Sequence, residues 1–380
     1  MIKTYKIRLL PTPEQQALMW QHVGACRYIW NYMLALQKAR YESGEEHLSH
    51  FDMINMLKPL KNDGEHGWLY NISANALQTI CGDLAKAYDR LFKKTARHPK
   101  FKSRKKSKPN FPIRSNVYFK DGCAVISKLG KITYKTNYQL PQGRNHKFTN
   151  PRISYVNGKW ILTVGVECEN QAYDLTDKPM WIDLGVKELA IVSFGDEELD
   201  FHNINKSKRV RSLERKKRHV QRSISRKYRA NGSWVKSKAI IKLEAMAKEI
   251  DYKLSNIRTN YIHQTTHKLV SMLPCRITME DLNISGMMKN RHLSKAIQRQ
   301  CLSEFIRQME YKSGWRGIEF IQAGRFFPSS KICSGCGSIK KDLKLKDRVY
   351  ECECGLVIDR DYNAAINLMR YESRTERLSA

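Results

Sequence analysis

The stretch M180-W-I-D-L-G-V-K-E-L-A-I-V-S-F194 decides how the chain is read. Apolar residues run from Met180 to Leu184 and again from Leu189 to Phe194, around Gly185-Val186-Lys187-Glu188, which predicts a strand, a short turn and a second strand. One residue breaks the pattern. Asp183 stands inside the first apolar run, where a carboxylate is costly unless it is paired or holds a metal. Gly185, two residues on, lets something approach the backbone closely.

Two more acids stand at element ends. Glu280 closes the short strand P274-C-R-I-T-M-E280, and Asp361 opens D361-Y-N-A-A-I-N-L-M369, a helix whose Ala364 and Ala365 can pack close to a sheet. A strand acid, a strand-end acid and a helix-start acid can converge on one edge of a mixed sheet. Two-metal phosphodiester hydrolysis requires such a convergence, with two Mg²⁺ ions about 4 Å apart held by hard oxygen ligands. Each acid alone also has a structural reading: Asp361 could cap its helix, and Glu280 could pair with a nearby cation. Their joint placement is what speaks for chemistry. Asp359 competes with Asp361, but on an extended segment the two point in opposite directions, and the small-residue helix favours Asp361. Asp281 should face away from Glu280.

Just upstream lie C333-S-G-C-G337 and C352-E-C-G355, two cysteine pairs that each end in glycine. Fifteen residues separate them, and no histidine follows His292, so Cys333, Cys336, Cys352 and Cys354 predict a four-thiolate zinc site. Such a site is closed and therefore structural. A redox pair would explain C-x-x-C alone but not two knuckles. The other six cysteines are scattered singly, and Cys26 and Cys81 fall in helical apolar patterns that predict core packing.

Outward from these motifs, the chain carries 68 Lys+Arg against 37 Asp+Glu, a formal charge of +31 over 380 residues. Such an excess implies a polyanionic partner, by default nucleic acid. Charge alone does not separate a nuclease from a structural RNA binder. The absence of an 18-residue apolar run or a secretory leader predicts a cytoplasmic, reducing location, where disulfides are not expected.

Thr12-Pro13-Glu14-Gln15 predicts a capped helix start, and helices are expected to about Tyr41 and over Ser73–Lys94. I153-S-Y-V-N-G-K-W-I-L-T-V-G-V166 predicts a hairpin turning at Asn157-Gly158, within a β module that strand Ile2–Leu9 could complete. Residues 93–108 hold nine Lys/Arg and no acid, and 206–229 hold twelve and one. Lys105 and Lys106 in the first run, and Arg215, Lys216, Lys217 and Arg218 in the second, are candidate phosphate contacts, with solvated segments as the alternative.

W181-I-D-L-G-V-K-E-L-A190, T278-M-E-D-L-N283, E304-F-I-R-Q-M-E-Y-K312, P328-S-S-K-I-C-S-G-C-G337 and C354-G-L-V-I-D-R-D-Y-N-A-A-I-N367 together resemble TnpB, the transposon-encoded RNA-guided nucleases akin to type V CRISPR effectors. The resemblance spans nearly the whole chain and is densest after residue 180. It implies an α+β multidomain protein. A wedge-like β barrel (1–10 and 111–180) would carry an inserted helical domain (11–110). A RuvC-type, RNase H-like nuclease domain (181–325 and 356–370) would follow, interrupted by a zinc ribbon (326–355) and ending in a tail (371–380). Carried over by motif, the catalytic acids are Asp183, Glu280 and Asp361. The implied partners are a guide RNA from the transposon end and double-stranded DNA beside a short adjacent motif. Gln78 matches a family position that contacts this motif, and Asn75 sits near another. A monomer in a prokaryotic cytoplasm is expected. The C-x-C second knuckle, and Leu302-Ser303 where Trp-Gly is common, depart from the family pattern without touching the acids. Two other readings stay open: a guide-dependent repressor that does not cut, and a resolvase-like nuclease that needs no guide.

Overall fold

The computed structural model describes residues 1–369 except 115–116, 144–145, 170, 196, 233–234, 325–326, 341 and 344–346, and omits the side chains of Asp361, Ala365, Leu368 and Met369. The expected tail, 371–380, lies outside the described residues. The chain divides into two units, Met1–Glu169 and Asn170–Ala380. Among the described residues no helix is long and apolar enough to cross a membrane.

In the first unit, β1 (Ile2–Leu10) alternates and buries Ile7 and Leu9. The predicted capping box forms: Thr12 Oγ1 accepts from the Gln15 amide at 3.3 Å while Gln15 Oε1 accepts from the Thr12 amide at 3.1 Å. It starts α1 (Pro13–Glu42). Gln15 does more than cap, because its side-chain amide also donates to the carbonyls of Leu129 and Lys131 at 3.1 and 2.8 Å. The short helices α2 (His50–Asn55) and α3 (Leu57–Asn62) lead to α4 (Ala74–Phe92). Leu77, Ile80, Cys81 and Leu84 form the buried stripe of α4, and α1 buries Met19, Cys26, Ile29 and Met33 in the same core. Cys26 and Cys81 are core residues as predicted, and burial pushes each thiol up to about 12.

The strands β2 (Asn110–Pro112), β3 (Val117–Lys120), β4 (Cys123–Ile126), β5 (Gly130–Lys135), β6 (Phe148–Val156) and β7 (Lys159–Glu167) join β1 in one antiparallel sheet. Its order is β2-β6-β7-β1-β5-β4-β3. The β6–β7 hairpin turns at Asn157 and Gly158, whose φ of 48° and 77° are the positive pair a tight hairpin turn demands. Strand β1 does not merely complete the module; it lies between β7 and β5. The expected closed barrel does not form: among the described residues β2 and β3 are the two edges of an open sheet. The physical reason lies at β2, which is three residues long. Pro112 brings no N–H to a further ladder, and α1 and α4 pack against the strand that closure would have to pair.

The basic run before β2 is not a loose linker. Trp30 Nε1 donates to the Lys100 carbonyl at 3.0 Å, and the Asn31 side chain exchanges two bonds with the Lys102 backbone at 2.9 and 2.7 Å. The Lys102 ammonium lies 3.5 Å from the centre of the Trp30 ring, a cation–π contact, and its burial pulls its pKa down. The segment is thus strapped onto α1, and Arg104, Lys105 and Lys106 form an exposed turn.

The second unit holds a mixed five-stranded sheet of β8 (Met180–Leu184), β9 (Glu188–Phe194), β10 (Glu197–His202), β11 (Arg276–Glu280) and β12 (Glu319–Ala323). Its order is β10-β9-β8-β11-β12, with antiparallel pairs at β8–β9–β10 and parallel pairs at β8–β11–β12. Between β10 and β11 run α5 (Lys208–Ala230) and α6 (Lys238–Ser271), and between β11 and β12 run α7 (Ile284–Met287), α8 (Ser294–Gln300) and α9 (Leu302–Arg316). Met180, Ile182 and Leu184 share one face of the sheet with Ile277 and Met279. Ile262 and Leu269 of α6, and Phe305 and Met309 of α9, cover it. Each such side chain contributes roughly 1.5–3 kcal/mol on burial, which fixes the register and turns Trp181 and Asp183 to the opposite face.

Despite its charge, α5 has a narrow apolar seam. Val210, Leu213, Val220 and Ile224 fall on one face, and meet Leu243, Ala247, Ile250, Leu254 and Ile257 of α6, which recur every three or four residues, so the pair zips as a helical hairpin. The described residues close with the hairpin β13 (Val349–Glu351) and β14 (Val357–Asp359) and the helix α10 (Arg360–Met369), which packs against β8 and β11.

Candidate metal centre and carboxylate site

Cys333, Cys336, Cys352 and Cys354 come together with all four Sγ atoms within 4.8 Å of one another. Cys333 and Cys354 are 3.6 Å apart at sulfur, and Cys336 and Cys352 are 3.5 Å apart. A tetrahedral zinc with Zn–S bonds near 2.3 Å needs sulfurs about 3.8 Å apart, so the set fits that ion. The knuckles make this possible. In the first, the Gly337 amide donates back to the Cys333 carbonyl at 2.9 Å; in the second, the Gly355 amide donates to Cys352 at 3.0 Å. Both turns need the left-handed backbone that glycine supplies, φ 82° at Gly337 and 91° at Gly355.

Four thiols this close cannot all ionise without a cation. A hydrogen bond with Ser338 draws Cys336 down to about 6 and also lowers Cys352. At Cys354 the Leu356 amide lowers the pKa, but the three neighbouring sulfurs outweigh it and drive the thiol up to about 12. A dication removes that conflict, because it lets every sulfur bind as thiolate.

This cluster could hold a zinc ion, and it is tied to the sheet through α10. Asn363 of α10 donates to the Ile332 carbonyl at 2.6 Å and accepts from the Ser334 amide at 2.8 Å, gripping both sides of Cys333. Asn367, one turn on, donates to the carbonyls of Ser329 and Ile332 at 2.9 and 2.5 Å. Both asparagines are buried, at 0 and 1 % exposure, so these bonds are made away from water. Each substitution, Asn363→Ala or Asn367→Ala, should cost roughly 1–3 kcal/mol by stranding buried backbone groups. Thermal unfolding of the metal-loaded protein measures it.

The carboxylates follow from the same strut. The β8–β11 register pairs Trp181 with Thr278 and Ile182 with Met279, so the next step along both strands brings Asp183 beside Glu280. Neighbours in a parallel pair share a face, and here it is the face away from the apolar core. Both acids are half-buried. Glu280 Oε1 accepts from Ser329 Oγ at 2.9 Å, and the carbonyl of that serine is one that Asn367 holds. The cysteine knuckle, Glu280 and α10 are therefore linked through Ser329.

Within D359-R-D361 the two aspartates differ in duty. Asp359 closes β14 opposite Val349, and its Oδ1 accepts from the Tyr362 amide at 3.2 Å, which caps α10. Asp361 lies in the first turn of α10, but its side chain lies outside the described residues. Asp281 follows Glu280 and bonds through its backbone amide to the Ala323 carbonyl at 3.1 Å.

The candidate nucleic-acid contacts lie apart from these centres in the sequence. Asn75 and Gln78 are half-buried on α4, one turn from each other. Gln78 lines a cavity of about 750 Å³ together with Lys86, Arg90 and Arg114. Lys105 and Lys106 are exposed. On α5, Arg215, Lys216 and Arg218 are exposed, whereas Lys217 is half-buried and paired with Asp251 at 2.5 Å. Sequence reading missed Ser329, Asn363 and Asn367. The signal was present as asparagines four residues apart on a helix of small residues, a spacing that puts both amides on one face.

Comparison with known proteins follows this layout. Residues 1–46 match a family described as a helix-turn-helix domain, 164–291 one described as a probable transposase, and 303–368 a Cas12f1-like TNB domain. In this structure residues 1–46 form β1 and the single helix α1. A Streptomyces pristinaespiralis protein named "Putative RNA-guided DNA endonuclease" is 28 % identical over 370 residues, covering 97 % of this chain and 88 % of its own. An Escherichia coli K12 protein, "Putative RNA-guided DNA endonuclease InsQ", is 28 % identical over 386 residues, covering 97 % and 92 %. The fold resembles Cas12f1 as solved by cryo-EM in its complex with sgRNA and target DNA, with a TM-score of 0.54 at 13 % identity over 97 % of this chain and 98 % of that one. The matches are thus to a probable-transposase family and a Cas12f1-like TNB domain in sequence, and to an α+β fold like that of Cas12f1. The chain is similar to these proteins and, over 141 residues at 28 % identity, to an Acanthamoeba polyphaga mimivirus protein named TnpB-like, in keeping with the resemblance of its motifs.

Proposed function

We propose that the chain is an RNA-guided DNA endonuclease of a transposable element. It would use a guide RNA from the transposon end to find double-stranded DNA beside a short adjacent motif. The observation that carries the proposal is the placement of Asp183 and Glu280 on adjacent parallel strands with α10, which bears Asp361, packed against both. The TnpB-like character of the whole chain and the charge of +31 support it.

In this reading the second unit is a RuvC-type, RNase H-like nuclease domain carrying a zinc ribbon. The first unit is the recognition lobe, with an open sheet in the wedge position and α1–α4 as its helical part. Half-buried carboxylates from neighbouring strands are hard oxygen donors, and they fit Mg²⁺ better than any soft metal. Asp183, Glu280 and Asp361 would hold two such ions, which supply charge stabilisation at the phosphate and a water acidic enough to attack it. The chain's own part is to keep the three acids at fixed mutual positions. Ser329 orients Glu280 through Oε1, and the asparagine clamp sets the path of α10. Four thiolates would hold zinc as a closed structural site. Lys105, Lys106 and the exposed cations of α5 would contact phosphate, while base pairing reads sequence and Asn75 and Gln78 read the adjacent motif.

Sequencing the RNA that copurifies with the protein tests the reading. One defined RNA should be found, and the purified complex should cut matched DNA with Mg²⁺ and not with EDTA. Asp183→Ala should bind guided DNA as tightly as wild type and fail to cut. No specific RNA, together with junction cutting by bare protein, would overturn the guide. Guided binding with no cutting under any Mg²⁺ condition would make the chain a repressor.

A further inference from the structure

Four cations of α5, Lys208, Arg211, Arg215 and Arg218, recur at spacings of three and four and so form one stripe beside the apolar seam. Lys295 and Arg299 of α8 share with them the lining of a cavity of about 590 Å³. One carboxylate, Glu214, is also in that lining, and two guanidiniums already engage it: Arg258 Nη2 at 2.9 Å and Arg299 Nη2 at 2.5 Å. Six cations against one shared carboxylate leave the cavity strongly positive. Glu214 acts as an internal strut that fixes where Arg299 stands, instead of neutralising the groove.

The network continues inward. Arg258 Nε donates to Asn205 Oδ1 at 2.8 Å, and Asn205 Nδ2 donates to Gln300 Oε1 at 3.1 Å. Gln300, only 3 % exposed, donates through Nε2 to the Gly185 carbonyl at 3.1 Å, with the carbonyls of Val186 and Glu188 within 3.4 Å. Those carbonyls belong to the turn that follows Asp183 and to the first residue of β9. Asn203 steadies the same turn through a 2.8 Å bond to the Val186 carbonyl. A guanidinium pair at the groove is thus joined by successive hydrogen bonds to the backbone beside Asp183.

We propose that the α5–α8 groove is a phosphodiester-binding site whose occupancy bears on the Asp183 turn through Gln300, a positioning residue. A backbone phosphate entering the groove offers Arg299 a second anion besides Glu214, and any shift it causes passes along Arg258, Asn205 and Gln300. The ligand chemistry is the phosphodiester shared by RNA and DNA. The consequence for cutting rests on the nuclease reading above; the binding does not.

The test has two arms, both on the full-length protein with its bound RNA. In the first, the Arg211→Gln/Lys295→Gln double variant is titrated against single-stranded RNA and against duplex DNA of equal length over a range of salt. The slope of log K against log salt should become shallower by about 0.7 per lost contact on single strands, or about 0.9 on duplex, and the polymer that shows it identifies the source of the phosphate. An unchanged slope on both polymers overturns the site. So does an equal change in a Lys242→Gln/Lys248→Gln double variant of exposed lysines on α6, outside the groove, because that would mean diffuse charge. In the second arm, Gln300→Leu should lower the single-turnover cutting rate at least tenfold with DNA affinity unchanged. Asn205→Ser should do the same more mildly and serves if the first variant folds poorly. Unaltered cutting in both overturns the coupling. If wild type cuts no guided DNA at all, the nuclease reading fails while the salt slopes still decide the groove.

Discussion

Asp361→Ala should abolish cutting of guide-matched DNA, by a factor on the order of 10³ or more, while Asp359→Ala should leave cutting close to wild type. The two residues are two apart and chemically identical, so the contrast isolates position. Asp359 already has a structural duty: it ends β14 and accepts the Tyr362 amide as the cap of α10. Its loss should cost about 1 kcal/mol of stability and lower the unfolding temperature slightly. Asp361 stands one residue into the helix that packs on the strands of Asp183 and Glu280. Removing a ligand from a set that acts as a unit destroys nearly the whole effect of the set, so Asp361→Ala should resemble Asp183→Ala. The measurement is single-turnover cleavage with binding followed separately by gel shift. Near-normal cutting by Asp361→Ala with loss in Asp359→Ala would reverse the assignment.

Cys354→Ser, or a zinc-selective chelator followed by restored Mg²⁺, should remove one zinc per chain and take cutting with it. The expected loss is at least about 100-fold, read by metal analysis beside the cleavage assay. The magnitude follows from scale. Structural zinc contributes an apparent 10–16 kcal/mol in small finger peptides, comparable to the whole net stability of a domain at about 5–15 kcal/mol. Here the effect should travel, because Asn363 and Asn367 hang α10 on backbone atoms of the first knuckle and Ser329 passes from that knuckle to Glu280. A zinc-free protein that still cuts normally would show that α10 keeps its place without the knuckle.

The elements that the sequence made legible are those whose signals are local. The Thr12 capping box, the Asn157-Gly158 turn, the stripe of α4 and the paired knuckles each concern residues within a few positions of one another, and each stands in the structure as read. The wedge-like barrel did not stand, because closure depends on which strand edges meet, and α1 and α4 cover β2 instead. Strand β10 escaped notice because E197-E-L-D-F-H202 is too acidic and exposed to read as sheet, yet it pairs along β9 as an edge. At the site, Asp183 was legible because a carboxylate in an apolar run is anomalous. Asn363, Asn367, Asn205 and Gln300 were not, since a buried amide looks like any other polar residue until its backbone partners, up to 115 positions away, are in view.

The strap over α1 has a consequence of a different kind. Trp30 and Asn31 hold the segment around Lys100 and Lys102 mainly by main-chain atoms, which every amino acid but proline possesses in full. The path of that segment is therefore indifferent to most of the side chains it displays. Residues 103–108 can gain, lose or exchange charge over generations, or at an engineer's bench, without loosening the anchor. Natural drift in this turn should retune affinity while the scaffold beneath it stays the same.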